Sequence, residues 1–409
     1  MTRQAPFGPE CNWSCTQLTF GSDAGRFHAH SYYDLRVFDP PGERIVAHRM
    51  TFAERRPSPS DEVEIGLVDI RTPGSWMPLG TSGAWSWQQG PMAQWAGPQD
   101  RVVWNDREAG GPDGDRFVAR VLDIDSGARR TLPGPVYAIS PDGTQALSLN
   151  MARLDALRPG YGYPGGADAR LDKAMPADDG VWRMCLSTGR RDLVLPLDRA
   201  VRTLRARLPL RERLRHGLGR YFYWFNHAKI APDGRRFTVK LRWRRPGGPW
   251  NSTMGVSLTA DLDGGDVRIL ADATSHVIWL DADRLYFWRA GELALFRDAA
   301  PRGERLGSIA PDLIDSNVHI RHLPPAPVCE ATLFVLDTPY RETVDLILYD
   351  AAAANHARIA TFSGHVPPKG EFRCDLHPCP SDDGRKIAVT SVEDGGRQLY
   401  VLRVDDPAA

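Results

Sequence analysis

Eleven histidines occur in the 409 residues, and four of them stand at one offset from a recurring turn. His227 lies seven residues before Gly234 in Ala231-Pro232-Asp233-Gly234, and His377 seven before Gly384 in Ser381-Asp382-Asp383-Gly384. His319 keeps that distance from Ala326 in Pro324-Pro325-Ala326, and His276 from Asp283 in Asp281-Ala282-Asp283-Arg284. In two other units the position belongs to Gln94, before Arg101, and Val136, before Gly143. A single buried histidine is usually a satisfied core residue. Imidazoles brought together from successive repeats are metal ligands or proton carriers. Cys374 stands three residues before His377 and adds a thiol. His276, His319, Cys374 and His377 then make a Cys/His set for a divalent ion, zinc ahead of manganese. With four ligands filled, the ion would be structural. Packing of Cys374 as a small hydrophobe is the alternative.

Arginines recur at the ends of neighbouring segments: His48-Arg49, Asn105-Asp106-Arg107, Asn150-Met151-Ala152-Arg153 and Arg242-Trp243-Arg244. Each alone is a surface charge. Gathered around one opening they attract an anion, and guanidinium forks suit carboxylates. No glycine-rich phosphate loop, nucleophile elbow or paired hydrolase carboxylates stands out.

The elements that must position these groups form a repeat. Ser140-Pro141-Asp142-Gly143 and Ala231-Pro232-Asp233-Gly234 are tight turns between short apolar runs, and Ser381-Asp382-Asp383-Gly384 is a weaker copy. Their glycines are 91 and 150 residues apart, close to two and three units of one β-propeller blade. Val121–Gly127, Ser257–Gly265 and Tyr400–Asp405 read as strands running into turns. Seven units start near Tyr33, Gln94, Val136, His227, His276, His319 and His377. The expected fold is an all-β, seven-bladed propeller forming one domain. Thr16–Gly21 would be an outer strand that completes the last blade and closes the ring. Inner-strand starts would then converge at one mouth of a central channel. Between Asp198 and Arg220 the Val201, Leu204, Leu208 spacing and eight arginines predict an amphipathic helix inserted around 199–220. It is either a solvated connector or a basic flap beside an acidic ligand.

Composition limits the function classes. Lys plus Arg is 51 and Asp plus Glu is 51, a balance unlike that of a broadly basic nucleic-acid binder. No run approaches the roughly 18 apolar residues of a membrane span, and the first ten residues lack the apolar core of a signal peptide. A cytoplasmic protein is expected, without nucleic-acid or membrane partners, as a monomer or weak homodimer. Of six cysteines, Cys11, Cys15 and Cys185 read as incidental.

Four blocks carry a family resemblance: Trp87-Gln88-Gln89-Gly90; Asp142-Gly143 through Ser148–Leu154 to Arg158-Pro159-Gly160-Tyr161-Gly162-Tyr163; Phe225-Asn226-His227; and Arg373-Cys374-Asp375-Leu376-His377-Pro378. Together they resemble bacterial propellers related to oligogalacturonate lyases and ulvan lyases, over most of residues 16 to 404. The resemblance implies β-elimination on a uronate-containing saccharide, with a divalent metal on His or Cys/His ligands. By position it makes His276, His319, His377 and Cys374 the metal ligands, His227 the base and Arg242 the partner of the uronate carboxylate. Tyr223 or Tyr161 would protonate the leaving oxygen, and Gln94, Arg107, Arg153 and Arg244 would contact substrate. The expected partner is an acidic oligosaccharide. Leu241, Pro91 and the lost Asp-Gly after His319 depart from the pattern and bear on the substrate. A non-catalytic, carbohydrate-binding propeller that keeps the metal site is the competing expectation.

Overall fold

The computed structural model describes residues 9–111, 114–218, 220–324, 333–365 and 370–405. Within them lie seven four-stranded antiparallel sheets. The sheets follow one another along the chain as blades 1 to 7, so the seven-bladed propeller read from the turns is the fold. The last blade is assembled from both ends of the chain. Trp13–Gln17 pairs antiparallel with Gln398–Val404, from Trp13↔Val404 to Gln17↔Tyr400. The closing strand therefore sits three residues earlier than the Thr16–Gly21 expectation. Cys15 lies within it.

Alternation along the strands supplies the core between blades. Blades 1 and 2 meet through Val46, Ile65, Leu67, Trp85, Trp95 and Trp104, all buried. Blades 6 and 7 meet through Leu346, Leu348, Leu376, Ile387, Val389 and Leu402. The apolar residues of two facing sheets interdigitate, which accounts for the tryptophan content.

In most blades the inner strand is closed by a backbone bond at the turn: Ala231 N to Arg236 O, Leu280 N to Arg284 O, Leu323 N to Leu333 O and Ser381 N to Lys386 O. His227, His276, His319 and His377 all stand four residues before these closing positions. The common register read from the sequence is thus a register of the fold. Blade 2 closes through Ala96 N to Arg101 O, so its equivalent residue is Met92, not Gln94. The turn following His319 reaches Ala326, which lies outside the described residues, as does Cys329.

Blade 1 differs from the others, and the difference shapes the channel. Its inner strand Phe27–Ala29 pairs with the far end of Arg44–Met50 and then leaves the ladder. It rejoins at Val37 and Phe38, opposite Val46 and Ile45. The segment between carries Tyr32 and Tyr33 into the channel, 3% and 0% exposed. The unit start placed at Tyr33 is therefore a plug, not a strand.

The single helix expected around 199–220 is two helices, α2 (Leu197–Arg205) and α3 (Leu210–Gly217). Pro209 ends the first run and stands at the N-cap of the second. An earlier helix, α1 (Met151–Leu157), replaces the expected strand end at Asn150–Arg153. Asn150 caps it, its side-chain oxygen accepting from Arg153 N at 2.9 Å. Gly162 packs so close to this helix that a Cβ there would overlap the backbone of Met151 and Asp155. That close approach holds Tyr161 and Tyr163 beside it. No helix among the described residues is long and apolar enough to cross a membrane.

Candidate metal and acid–base site at the channel mouth

The four histidines meet. Ring centroids of His276 and His319 are 4.3 Å apart and those of His319 and His377 4.6 Å. Tyr33 lies against all three, at 5.7, 5.3 and 5.9 Å. Tyr32 stacks on His227 at 5.5 Å and meets His377 edge-on at 5.0 Å. A backbone device aims three of these imidazoles inward. His227, His276 and His377 have φ of 55°, 51° and 50°, in the left-handed region. The ladder breaks between Asn226 and Lys229 and between Ser275 and Ile278. Such a bulge turns a side chain out of the sheet plane. Left-handed backbone at a non-glycine costs roughly 1–3 kcal/mol and persists where the surroundings enforce it, commonly at functional sites.

A compact donor group comprises His319, Asp375 and His377, whose candidate ligand atoms all lie within 4.8 Å of one another. The Asp375 Oδ2 atom is 3.9 Å from His319 Nε2 and 3.8 Å from His377 Nε2. Both Nε2 atoms are buried and have no hydrogen-bond partner among the described residues. The other face of His319 is held by Asp337, which accepts from its backbone N–H and meets Nδ1, each at 2.9 Å. This is the carboxylate–histidine support that orients metal ligands. His276 Nδ1 is bonded to Val318 O at 2.8 Å, leaving its Nε2 available. Two orphaned imidazole nitrogens facing a carboxylate are a fit for a divalent cation.

Cys374 is not in this group. Its sulfur faces Thr390 O at 3.6 Å, and burial pushes its thiol up to about 11. The reason is the local backbone. Residues 373–378 belong to no helix, so Asp375 and His377 come together in the donor group while the Cys374 sulfur turns to Thr390 O and Leu376 into the blade. Leu376 is fully buried in the blade core. A three-residue Cys–His spacing suits a helix or turn; here it separates the two side chains. The preference for zinc rested on that thiolate, and the nitrogen and oxygen donors present do not support it over manganese.

Beside the donor group lies an acid–base and cationic cluster. His227 Nδ1 is 3.2 Å from the Tyr137 hydroxyl, which also accepts from the His227 backbone N–H at 3.1 Å. Burial, then the charges of Arg158 and Arg242, hold His227 well below its usual range, so the ring is neutral near pH 7. Arg242 points inward from its strand with Lys240, two residues earlier, and its Nε donates to Asn226 Oδ1 at 3.1 Å. Burial and the neighbouring Arg158 lower Arg242 to about 9, which keeps it charged. The Arg158 guanidinium lies 3.5 Å from the Tyr161 ring centre. Arg373 joins the two clusters: Nε donates to Asp375 Oδ2 at 2.8 Å and Nη2 to the Tyr161 hydroxyl at 3.3 Å. Burial alone would raise the Tyr161 phenol, but Arg158 and Arg373 outweigh it and hold it below its usual value.

Other residues expected at the mouth lie elsewhere. The Tyr223 hydroxyl is bonded to His216 Nδ1 at 2.7 Å, beneath α3. Arg153 is 1% exposed and donates to the carbonyls of Tyr223, Arg170, Lys173 and Ala174, so it clasps loops and meets no solute. Arg107 pairs with Asp115 at 2.8 Å and donates to Pro59 O. Arg244 donates to Leu157 O at 2.9 Å, anchoring the end of α1 just before Arg158. Gln94 lines the opposite end of the channel. A carbonyl, carboxylate or imidazole claims the polar group of Tyr223, Arg153, Arg107, Arg244 and Gln94, and residue type alone does not mark these pairings. Tyr32, Tyr137, Lys240 and Asp337 escaped the sequence reading, and Tyr33 entered it only as a unit start. Arg158, Arg373 and Asp375 stood inside its quoted blocks without a role.

Comparison with solved structures bears on the fold. An oligogalacturonate lyase in complex with manganese superposes with a TM-score of 0.60 at 13% identity, covering 98% of this chain and 95% of that one. An oligogalacturonate lyase from Vibrio parahaemolyticus superposes at 0.57 with 11% identity, covering 97% and 98%. A prolyl endopeptidase gives 0.43 at 15% identity, over 94% of this chain and 50% of that one. No protein-family model and no curated protein matches the chain. The molecule is a seven-bladed β-propeller. Its fold is that seen in oligogalacturonate lyases.

Proposed function

We propose that the protein is a lyase that cleaves a uronate-containing oligosaccharide by β-elimination at the channel mouth. The observation that carries this reading is a neutral, half-buried His227 set among Arg158, Arg242 and Tyr161. β-Elimination needs a base at C5, a cation on the carboxylate and a proton for the departing oxygen, and these groups supply all three. The uronate carboxylate lies on Arg242, with Arg158 adjacent, which acidifies the C5 proton and stabilises the enolate-like state. In the tautomer that carries its proton on Nδ1, His227 has on Nε2 the lone pair that takes the C5 proton. The C4–O4 bond then breaks, a C4=C5 double bond forms, and the Tyr161 hydroxyl protonates O4. Among the expected acids, Tyr161 replaces Tyr223 because it faces His227, with ring centroids 5.9 Å apart.

His319, His377 and Asp375 would hold a divalent cation, with His276 beside them. A cation there supplies a fixed positive charge for substrate oxygens. Manganese is the first candidate, given the donor set and the manganese-bound lyase that shares the fold. The test is incubation with oligogalacturonides and ulvan fragments while following ultraviolet absorbance of an unsaturated uronate. A bound saccharide recovered intact after prolonged incubation overturns the lyase reading in favour of a binding propeller.

A further inference from the structure

The channel has a second mouth, at the turn end of the inner strands. A cavity of about 500 Å³ there is lined by residues of all seven blades, among them Asp34, Gln94, Lys229, Arg321 and Asp382. It is separate from the histidine cluster. Tyr33 and Lys229 stand between the two, and the space left around them, about 10 Å³, admits no more than a water.

The charges of this cavity are paired, with one exception. Lys229 meets Asp34 at 2.7 Å, both side chains more than nine-tenths buried at 9% and 8% exposure. Arg36 pairs with Asp382. Arg321 has no carboxylate partner among the described residues. Its Nη1 donates to Tyr33 O at 2.8 Å, while its Nε is buried with no partner. The second lone feature is an acceptor. Asp34 gives Oδ2 to Lys229, and its buried Oδ1 has no partner. His322 adds no charge, since burial, then Arg321, lowers it to about 3, and its Nδ1 is bonded to Tyr286 at 3.1 Å. Ile230, Ile278 and Trp279 form an apolar wall.

A ligand that completes this site needs one negative charge for the Arg321 fork and a hydroxyl to donate to Asp34 Oδ1. A second negative charge would face Asp34 or Asp382. A purely apolar acid would leave the Asp34 oxygen without a donor, which costs free energy in a buried setting. The volume lies in the range of small-molecule sites. We propose that the second mouth binds a small hydroxylated monocarboxylate, a sugar acid or hydroxy acid, through Arg321 and Asp34. The inference is independent of the chemistry assigned to the first mouth.

The test is calorimetric titration with D-galacturonate, D-galactose and acetate. D-Galacturonate is expected to keep one binding site in Arg242→Ala, where the carboxylate contact of the first mouth is gone. Arg321→Met is expected to weaken it at least tenfold, and Arg321→Lys, which keeps the charge without the fork, by an intermediate factor. D-Galactose and acetate, each lacking one of the two groups, are expected to bind at least tenfold more weakly. Circular dichroism checks that each variant folds; if Arg321→Met does not, Arg321→Lys carries the test. Binding lost in Arg242→Ala but unchanged in the Arg321 variants overturns the proposal. So does acetate or D-galactose binding as tightly as D-galacturonate, or no D-galacturonate binding at all. A protein that cleaves no uronide but binds D-galacturonate through Arg321 would refute the lyase reading alone.

Discussion

Replacing His227 tests the proposed chemistry most directly, and the backbone dictates the replacement. With φ at 55°, alanine would be strained, whereas asparagine tolerates the left-handed region. His227→Asn is therefore expected to fold while losing the base. A positioned base contributes roughly 10²–10⁴ in rate, or about 3–5 kcal/mol of barrier at 1.36 kcal/mol per decade. Turnover of a uronate trisaccharide is expected to fall by that factor, with binding largely kept because Arg242 and Arg158 remain. A pH series adds a second readout. Burial and the charges of Arg158 and Arg242 hold His227 well below 6.5, so it stays neutral and basic as pH falls through 6.5. The acid limb of kcat/KM should lie well below that pH. Arg158→Met removes the larger of those two charges and should move the limb upward. Two results would refute the reasoning: His227→Asn retaining wild-type turnover, or a limb that Arg158→Met leaves in place.

Four further outcomes are expected. Asp375→Ala or His319→Ala should abolish stoichiometric divalent metal in elemental analysis, whereas Cys374→Ser should retain it, because the sulfur faces Thr390. Asp337→Asn should weaken metal affinity by roughly 10–100-fold, measured by competition with a chelator, since it loosens the support of His319. Deleting the chain through Gln17 removes five cross-strand pairs, worth about 0.2–1 kcal/mol each, and exposes the Gln398–Val404 edge. Lower denaturant resistance and aggregation on light scattering are expected. Folding stability should also fall below about pH 6.5. Burial lowers His48 and His322 to about 3, so below 6.5 the unfolded chain binds protons that the folded one does not. Each such group costs up to about 1.4 kcal/mol per pH unit down to its folded value. Denaturation midpoints that hold steady from pH 7 to 5 would contradict this.

Some features were written in short stretches of chain. Turn chemistry at 140–143, 231–234 and 381–384 marks the blades, and a fixed offset from those turns carries the histidines. Turn residues and strand alternation act over a few residues, so the seven blades, the closing N-terminal strand and the convergence of four imidazoles could be read locally. The assignments failed where the local period was misjudged. Cys374 and His377 would share a face at helical spacing, but no helix forms there, and Asp375 joins His377 in the donor group instead. Met92 rather than Gln94 holds the histidine position because the blade 2 turn closes at Ala96.

What only the tertiary structure decided is which partner claims each polar group. Arg153 and Arg107 look on paper like Arg242. Carbonyls of residues 170–174 and 223 take the first and Asp115 the second, while Arg242 is held by Asn226 one residue from His227. The plug of Tyr32 and Tyr33 needs a broken strand in blade 1 packed against blades 4 to 7, contacts between residues up to hundreds of positions apart. Propensity and periodicity encode the direction in which a side chain leaves its own strand. They carry no information on what ring closure sets opposite it, and at this channel that neighbour determines which group holds each arginine.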